Sequence, residues 1–134
     1  MVAAALGVAL LAACASGDGS KPTLNVDEQQ VATSTLRGIV DGLCAAREQA
    51  AENREASRSA FLGRAHDPIH TLARAVQVTD RAAAGELLRA KQAVEADFGE
   101  AAGGGDLEGD LQHLVEETVR ALKVVGIKAK ECPE

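Results

Sequence analysis

The residues best suited to metal chemistry in this chain are two histidines four positions apart, His66 and His70, with Asp67 between them. Imidazole nitrogens and a carboxylate are ligands that zinc and copper accept. Two features oppose such a site: Pro68 interrupts a helix that would show both rings on one face, and the helix start expected there carries partial positive charge. We therefore expect Asp67 to cap a helix and His70 to pack in its first turn. A zinc or copper site at His66, Asp67 and His70 is the alternative.

Charged side chains are unevenly distributed along the chain. One group surrounds the first predicted turn and is basic: Arg54, Arg58, Arg64 and Arg74. A second group surrounds the later, glycine-rich turn and is acidic: Glu86, Glu95, Asp97, Glu100, Asp106, Glu108, Asp110, Glu116 and Glu117. The plain interpretation is solvated helix faces. The functional interpretation is that the four arginines form a tip that binds an anion or a partner.

The N-terminal segment carries a different kind of signal. Residues 2–11 form an apolar run that has the character of a secretory signal and is shorter than the roughly 20 residues needed to span a bilayer. The run closes on Leu11-Ala12-Ala13-Cys14, which resembles the lipobox of bacterial lipoprotein precursors. The resemblance implies that residues 1–13 are a signal peptide, and that Cys14 receives a diacylglyceryl group and becomes the first residue of a membrane-anchored protein outside the cytoplasm. The polar composition that follows predicts a flexible tether over residues 14–26.

The other two cysteines, Cys44 and Cys132, form the natural pair once Cys14 carries lipid. Disulfides persist in the compartments that exported proteins reach. Closing a loop of roughly 90 residues would stabilise the fold by about 4–5 kcal/mol in the chain-entropy model. We predict that Cys44 and Cys132 are bridged, and the alternative is two free thiols.

Composition restricts the classes of partner and of fold. The net charge of −6 disfavours a nucleic-acid partner. The chain has no Trp or Tyr and two Phe, so it lacks the aromatic surfaces on which single-stranded bases stack. Alanine dominates the apolar residues, and small side chains form a core only between long, closely packed helices. Residues 27–134 suffice for one such helical domain.

The first predicted helix follows Asp27, a suitable N-cap, and runs over residues 28–62. Its apolar residues recur at helical spacing. Gly38 and Gly42 lie one turn apart, which favours the close approach of a neighbouring helix. Gly63 suits the left-handed residue that often follows a helix.

The second predicted helix starts after Asp67 and continues to Phe98. It becomes two helices if the chain breaks near Thr79-Asp80. The last helix is expected to start near Asp106 and to stop around Gly126.

The disulfide favours one topology among these helices. With three long helices running up, down and up, the last is parallel to the first and Cys132 arrives at the level of Cys44. If the middle helix breaks into an antiparallel pair, the last helix descends and the tail must fold back to reach Cys44. We therefore expect an all-α, up-down-up bundle of three long helices, with the acidic end near the tether and the basic tip away from it.

These inferences predict a lipid-anchored lipoprotein of the cell envelope whose helical domain is a binding or interaction module. Its expected partners are the membrane, through lipid on Cys14, and an envelope protein or a small anionic ligand. A metal-handling lipoprotein is the first alternative and a small hydrolase the second. The sequence shows no phosphate-binding glycine loop, haem attachment motif or EF-hand loop, so we expect no cofactor and no catalysis.

Overall fold

The structure, a computed structural model, describes residues 23–26, 29–99 and 105–133. The predicted signal peptide, the lipidation residue Cys14 and the predicted helix start at Asp27 lie outside the described residues. The described elements are two strands, β1 (Thr23–Val26) and β2 (Gln29–Ala32), and five helices: α1 (Thr33–Ala50), α2 (Arg54–Arg64), α3 (His66–Gln77), α4 (Arg81–Gly99) and α5 (Leu107–Val124). Within those ranges, no helix is both long and apolar enough to cross a membrane.

The described part of the chain is a helical bundle, as predicted, but it contains five helices and not three. The two strands precede the helices as an antiparallel hairpin in which Thr23 pairs with Ala32 and Val26 with Gln29. Regular structure therefore begins within the segment expected to be a tether. The hairpin also delays the first helix, which starts at Thr33 because the preceding four residues are paired as β2.

The first long helix of the prediction is divided at residues 51–53. Asn53 ends the interruption, since its side-chain oxygen accepts a hydrogen bond from the Ala56 N–H at 2.9 Å. This is the geometry of an N-cap, which satisfies one of the free N–H groups at a helix start. Gly63 then lies inside α2 and not after it.

The predicted N-cap at Asp67 is wrong. Helix α3 begins two residues earlier than predicted, at His66 and not at Pro68, and follows Ala65, which keeps a helical backbone conformation. The Ala65 N–H donates to the Phe61 carbonyl and the Ala65 carbonyl accepts from Ile69, both at 3.0 Å, so α2 and α3 are joined by a single helical residue. Pro68 is tolerated because it falls in the first turn, where a helix leaves N–H groups without internal partners.

The starts of the last two helices agree with the capping signals in the sequence. The chain breaks at Thr79-Asp80, the four-helix alternative, and the Asp80 carboxylate accepts from the Ala83 N–H at 2.9 Å. Asp106 begins α5 as predicted, and its carboxylate accepts from the Gly109 N–H at 3.0 Å.

Helix α5 runs antiparallel to α1. The end of α1 lies beside the start of α5, where Arg47 donates a hydrogen bond to the side chain of Gln112. The last helix is therefore not parallel to the first, as three long helices would require. The alternative holds, in which the tail folds back to reach Cys44. The chain turns at Gly126, whose φ of +77° is the left-handed conformation that ends many helices. The Ile127 N–H donates to the Leu122 carbonyl at 2.8 Å and the Gly126 N–H to that of Lys123 at 3.0 Å.

After this turn, residues 127–133 form a C-terminal tail that returns along the bundle. The tail has a concave surface on each side, and both surfaces are lined by Lys128, Ala129 and Lys130. One surface lies between the tail and α5, and the other lies between the tail and α1. Cys132 then reaches Cys44, and the predicted disulfide is confirmed with a Cα–Cα distance of 5.4 Å. The tail is therefore a covalently attached strap between α1 and α5.

The core is built from one face of each helix. Its largest fully buried side chains are Phe61, Leu36, Ile39, Leu43, Ile69, Leu72, Leu87, Leu111, Leu114, Leu122, Val76 and Val94. Gly42 on α1 allows α2 to pack closely against it. A Cβ placed at Gly42 would lie only 2.6 Å from the Cβ of Arg64 on α2. Gly38, one turn earlier, has open space at the same point. The predicted close approach is therefore made by Gly42 and not by Gly38.

This difference gives a matched pair of substitutions on α1. Gly42→Ala should lower the free energy of unfolding by about 1–3 kcal/mol, because the backbone of α2 must move away. Gly38→Ala should raise it by about 0.5–1 kcal/mol, because alanine restricts the unfolded chain and fits the open site. Urea unfolding followed by circular dichroism measures both. Equal effects of the two substitutions would contradict the packing of α2 on α1 described above.

The bridge makes a separate prediction. The double variant Cys44→Ser/Cys132→Ser should lose up to about 4–5 kcal/mol in the free energy of unfolding, because the unfolded chain regains the freedom of a long loop. A reducing agent should have the same effect on the parent protein. Cys14→Ser serves as the control, and it should keep the full sensitivity to reduction. Insensitivity of the parent to reduction would show that the bridge does not hold the fold.

Candidate functional site

Five polar side chains meet where the start of α3 packs on the end of α4. His66 contacts two carboxylates, with its Nδ1 2.7 Å from Asp67 Oδ1 and its Nε2 2.9 Å from Glu95 Oε1. The same Glu95 oxygen accepts from Lys91 Nζ at 2.6 Å. His70 lies one turn along α3, with its ring centre 5.6 Å from that of His66. We call these five residues the α3–α4 cluster, and the hydrogen bond between His66 and Glu95 joins the two helices.

Lys91 is the least expected member of the cluster, because it is 2% exposed. A buried ammonium group is costly unless an anion accompanies it, and Glu95, one turn later on α4, supplies that anion. The signal for this burial is present in the sequence. Lys91 falls on the apolar stripe of α4 between Leu87 and Val94. Its position on the helix therefore predicts that it is buried, although lysine is usually exposed.

The cluster shifts the pKa values of two members. Partial burial of Glu95 acts to raise its pKa, but the hydrogen bond and charge of Lys91, with help from His66, outweigh this effect and lower the pKa below its ordinary value of 4.5. Burial, followed by the nearby charges of Lys91 and His66, lowers the pKa of His70 below 6.5. Both shifts make the folded state less stable as the pH falls.

The three residues of the possible metal site do lie together, but in a different role. Both ring nitrogens of His66 already lie within hydrogen-bond distance of carboxylate oxygens, so a metal on this ring would have to displace one of these contacts. Among the described residues, no group of three or more His, Cys, Asp and Glu side chains is arranged to hold a metal ion. The geometry of the α3–α4 cluster is that of a hydrogen-bond network around the Lys91–Glu95 ion pair.

The four arginines of the predicted basic tip are dispersed along α2 and α3. Arg54, at the start of α2, donates to the backbone carbonyl of Asp97 near the end of α4. Arg64 is exposed at the end of α2, and Arg74 is exposed further along the chain, on α3.

Arg58 lies beside a shallow cavity of about 200 Å³ that is also lined by Phe61, Glu95 and Phe98. Basic α2 therefore meets the acidic end of α4. The predicted separation of a basic end from an acidic end is wrong, because α2 brings Arg54 beside Asp97 and Arg58 beside Glu95 at the end of α4.

A larger concave surface lies between α5 and the C-terminal tail. This groove has a volume of about 610 Å³, and its lining consists of Val119, Lys123, Gly126, Ile127, Lys128, Ala129 and Lys130. We call it the α5–tail groove. Sequence reasoning missed it, although the three closely spaced lysines near the C-terminus are a visible signal. What the sequence does not show is that the tail folds back and brings Lys130 beside Val119.

A second concave surface, of about 620 Å³, lies at the other end of α5. Its charged lining is mainly acidic and consists of Asp106, Glu108, Glu131 and Arg47. The two ends of α5 therefore offer surfaces of opposite charge.

Comparisons of the chain with protein-family models, with curated proteins and with solved structures find no match.

The α3–α4 cluster predicts that Glu95 protects the fold from its own buried lysine. Glu95→Gln should lower the free energy of unfolding by about 1–3 kcal/mol, because Lys91 loses its anion. Glu86→Gln, on the same helix, removes an exposed pair with Arg89 and should change stability by less than about 0.5 kcal/mol. Adding Lys91→Met to Glu95→Gln should recover most of the loss. Simple additivity of these two substitutions would contradict the pairing.

The same cluster predicts a pH dependence. Because the pKa of Glu95 is lowered on folding, its contribution to stability is complete above its ordinary pKa of 4.5 and is lost as the pH falls through the folded-state pKa. The stability difference between the parent and Glu95→Gln should therefore shrink as the pH falls below 4.5. Thermal unfolding at a series of pH values measures this difference, and a constant difference down to pH values well below 4.5 would count against the pairing.

Proposed function

We propose that this protein is an extracytoplasmic lipoprotein, anchored to a membrane through Cys14, whose helical domain acts as a small binding or interaction module. The partner is an envelope protein or a small anionic ligand. The segment that carries the anchor, residues 1–22, lies outside the described residues, so the support for the anchor comes from the sequence and from the way the other cysteines are used.

The observation that carries the proposal is the bridge between Cys44 and Cys132, whose Cα atoms are 5.4 Å apart. A structural disulfide is typical of proteins that leave the reducing cytoplasm. The bridge uses two of the three cysteines. The remaining one is Cys14, which stands directly after an apolar run and before a polar segment. This cysteine usage is what a secreted, lipid-modified protein requires.

The binding role is supported by what the domain offers at its surface. The α3–α4 cluster is occupied with its own ion pairs, so its charged groups are engaged in holding helices together. Open concave surfaces lie instead at both ends of α5. A small bundle fixed by a disulfide presents such surfaces in a fixed shape, which lowers the entropy lost on binding.

The anchor is tested with the chain carrying its leader, expressed in a bacterial host that processes lipoproteins and is fed radiolabelled palmitate. The parent protein should incorporate the label and sediment with membranes, because two or more acyl chains give stable anchoring. Cys14→Ser should incorporate no label. Ser16→Ala, two residues away, is the matched control and should behave as the parent does.

Mass spectrometry of the purified proteins supplies the second readout. The parent and Ser16→Ala should lack residues 1–13 and carry the mass of the lipid on Cys14. Labelling of Cys14→Ser to the level of the parent would overturn the lipoprotein assignment.

A further inference from the structure

We propose that the α5–tail groove binds a small amphiphile that has one anionic head group and one aliphatic chain, with a long-chain carboxylate as its simplest representative. This proposal gives the binding module a ligand class. It rests on the binding part of the proposed function and is independent of the lipid anchor.

The shape and lining of the groove fit such a molecule. Its volume of about 610 Å³ lies within the roughly 300–1,000 Å³ typical of small-molecule sites. Val119, Ile127 and Ala129 supply an apolar surface between the helix and the tail. Val119 and Ala129 are half-buried and Ile127 is buried, so an aliphatic chain placed along them would leave water, which is favourable in proportion to the area covered.

The charge of the groove selects the head group. Lys123, Lys128 and Lys130 are exposed around the groove, and each carries an ammonium group with three hydrogen-bond donors. Among the described residues that line the groove there is no carboxylate. The chain as a whole has a net charge of −6, so this local concentration of positive charge stands out against a surface that repels anions.

The other concave surfaces differ in this respect. The one on the far side of the tail, against α1, combines Lys128 and Lys130 with Asp41, Glu48 and Glu131. The one at the start of α5 is mainly acidic. Apolar lining and unopposed positive charge therefore coincide in the α5–tail groove.

The groove is also built to keep its shape. One wall is α5, and the other is the tail, which is fixed at one end by the helix-ending turn at Gly126 and at the other by the bridge at Cys132. Lys130 stands two residues before the bridged cysteine. Reduction should therefore release the second wall of the groove and weaken binding.

The geometry favours a single amphiphile over the surface of an anionic membrane. Adsorption to a membrane needs a broad basic surface, whereas these three lysines surround one concave groove on a protein of opposite net charge. A monomeric carboxylate can bring its charge to the lysines and its chain to the apolar wall at the same time.

Calorimetric titration with sodium dodecanoate, below its micelle concentration, tests the proposal. The protein is the full chain with Cys14→Ser, which carries no lipid on that residue. Binding should weaken at least about tenfold in Lys123→Gln/Lys130→Gln, since a charged hydrogen bond is worth more than about 1.4 kcal/mol. The control Arg58→Gln/Arg64→Gln, also made in the Cys14→Ser protein, removes the same charge from α2. It should bind dodecanoate as tightly as Cys14→Ser alone. Circular dichroism confirms that each variant is folded.

Two further probes separate head group from chain. Dodecyltrimethylammonium, which has the same chain and the opposite charge, should bind more weakly than dodecanoate, and acetate should not bind measurably. A reducing agent should weaken dodecanoate binding by the Cys14→Ser protein, whose bridge between Cys44 and Cys132 is intact.

Several results would overturn the proposal. Equal weakening by the arginine variant would move the site to α2, and equal affinity for the cationic amphiphile would exclude the lysines as its basis. Dodecanoate binding that is absent, or unchanged in the lysine variant, would exclude the groove. Binding to phosphatidylglycerol vesicles without binding to dodecanoate would assign the lysines to a membrane. Because the tested chain carries the Cys14→Ser substitution, none of these results depends on the anchor, and failed palmitate labelling would leave them unchanged.

Discussion

The return of the C-terminal tail to α1 is the constraint on which much of this structure depends. Helix α5 runs away from Cys44, so the chain must reverse at Gly126 and run back before Cys132 can meet its partner. In doing so the tail covers the seam between α1 and α5 and buries Ile127. A bundle rich in alanine buries little area per residue, and a covalent closure of this kind compensates by limiting the freedom of the unfolded chain.

A second set of interactions holds the opposite side of the bundle. The α3–α4 cluster places a buried ammonium beside a carboxylate, and the carboxylate also holds the ring of His66. Phe61 of α2 packs near both His66 and Phe98, at ring-centre distances of 5.8 and 5.6 Å. The short helix α2 is thus fixed by ring contacts at a site where the α3–α4 cluster already joins α3 to α4.

The sequence was most informative where a short stretch decides the structure. Asp106, the break at Thr79-Asp80 and the stop near Gly126 each rest on capping chemistry within a few residues, and the structure contains all three. The helical class and the disulfide also followed from residue types. Asp67 misled the prediction because the helical backbone already runs through Ala65 and His66, so its carboxylate bonds to the His66 ring and not to the N–H groups of a helix start.

What could not be predicted was the direction of one helix relative to another. Three long helices were preferred because Cys132 then arrives at the level of Cys44 without a reversal of the tail. The chain instead reverses at Gly126, and Cys132 reaches Cys44 although α5 runs antiparallel to α1. The same reversal creates the α5–tail groove. Its two walls, α5 and the tail, run in opposite directions although they are close in sequence. Lys91 could be recognised from its place on the apolar stripe, but its pairing with Glu95, which also contacts His66, required the structure.

The position of the bridge has a mechanical consequence. Cys44 and Cys132 are separated by 88 positions in the sequence, so α2, α3, α4 and α5 all lie inside the closed covalent loop. A force applied between the two ends of the chain passes along the hairpin and α1 to Cys44, crosses to Cys132 and leaves through Pro133. It can peel away the first part of α1, but the four helices inside the loop carry none of the tension.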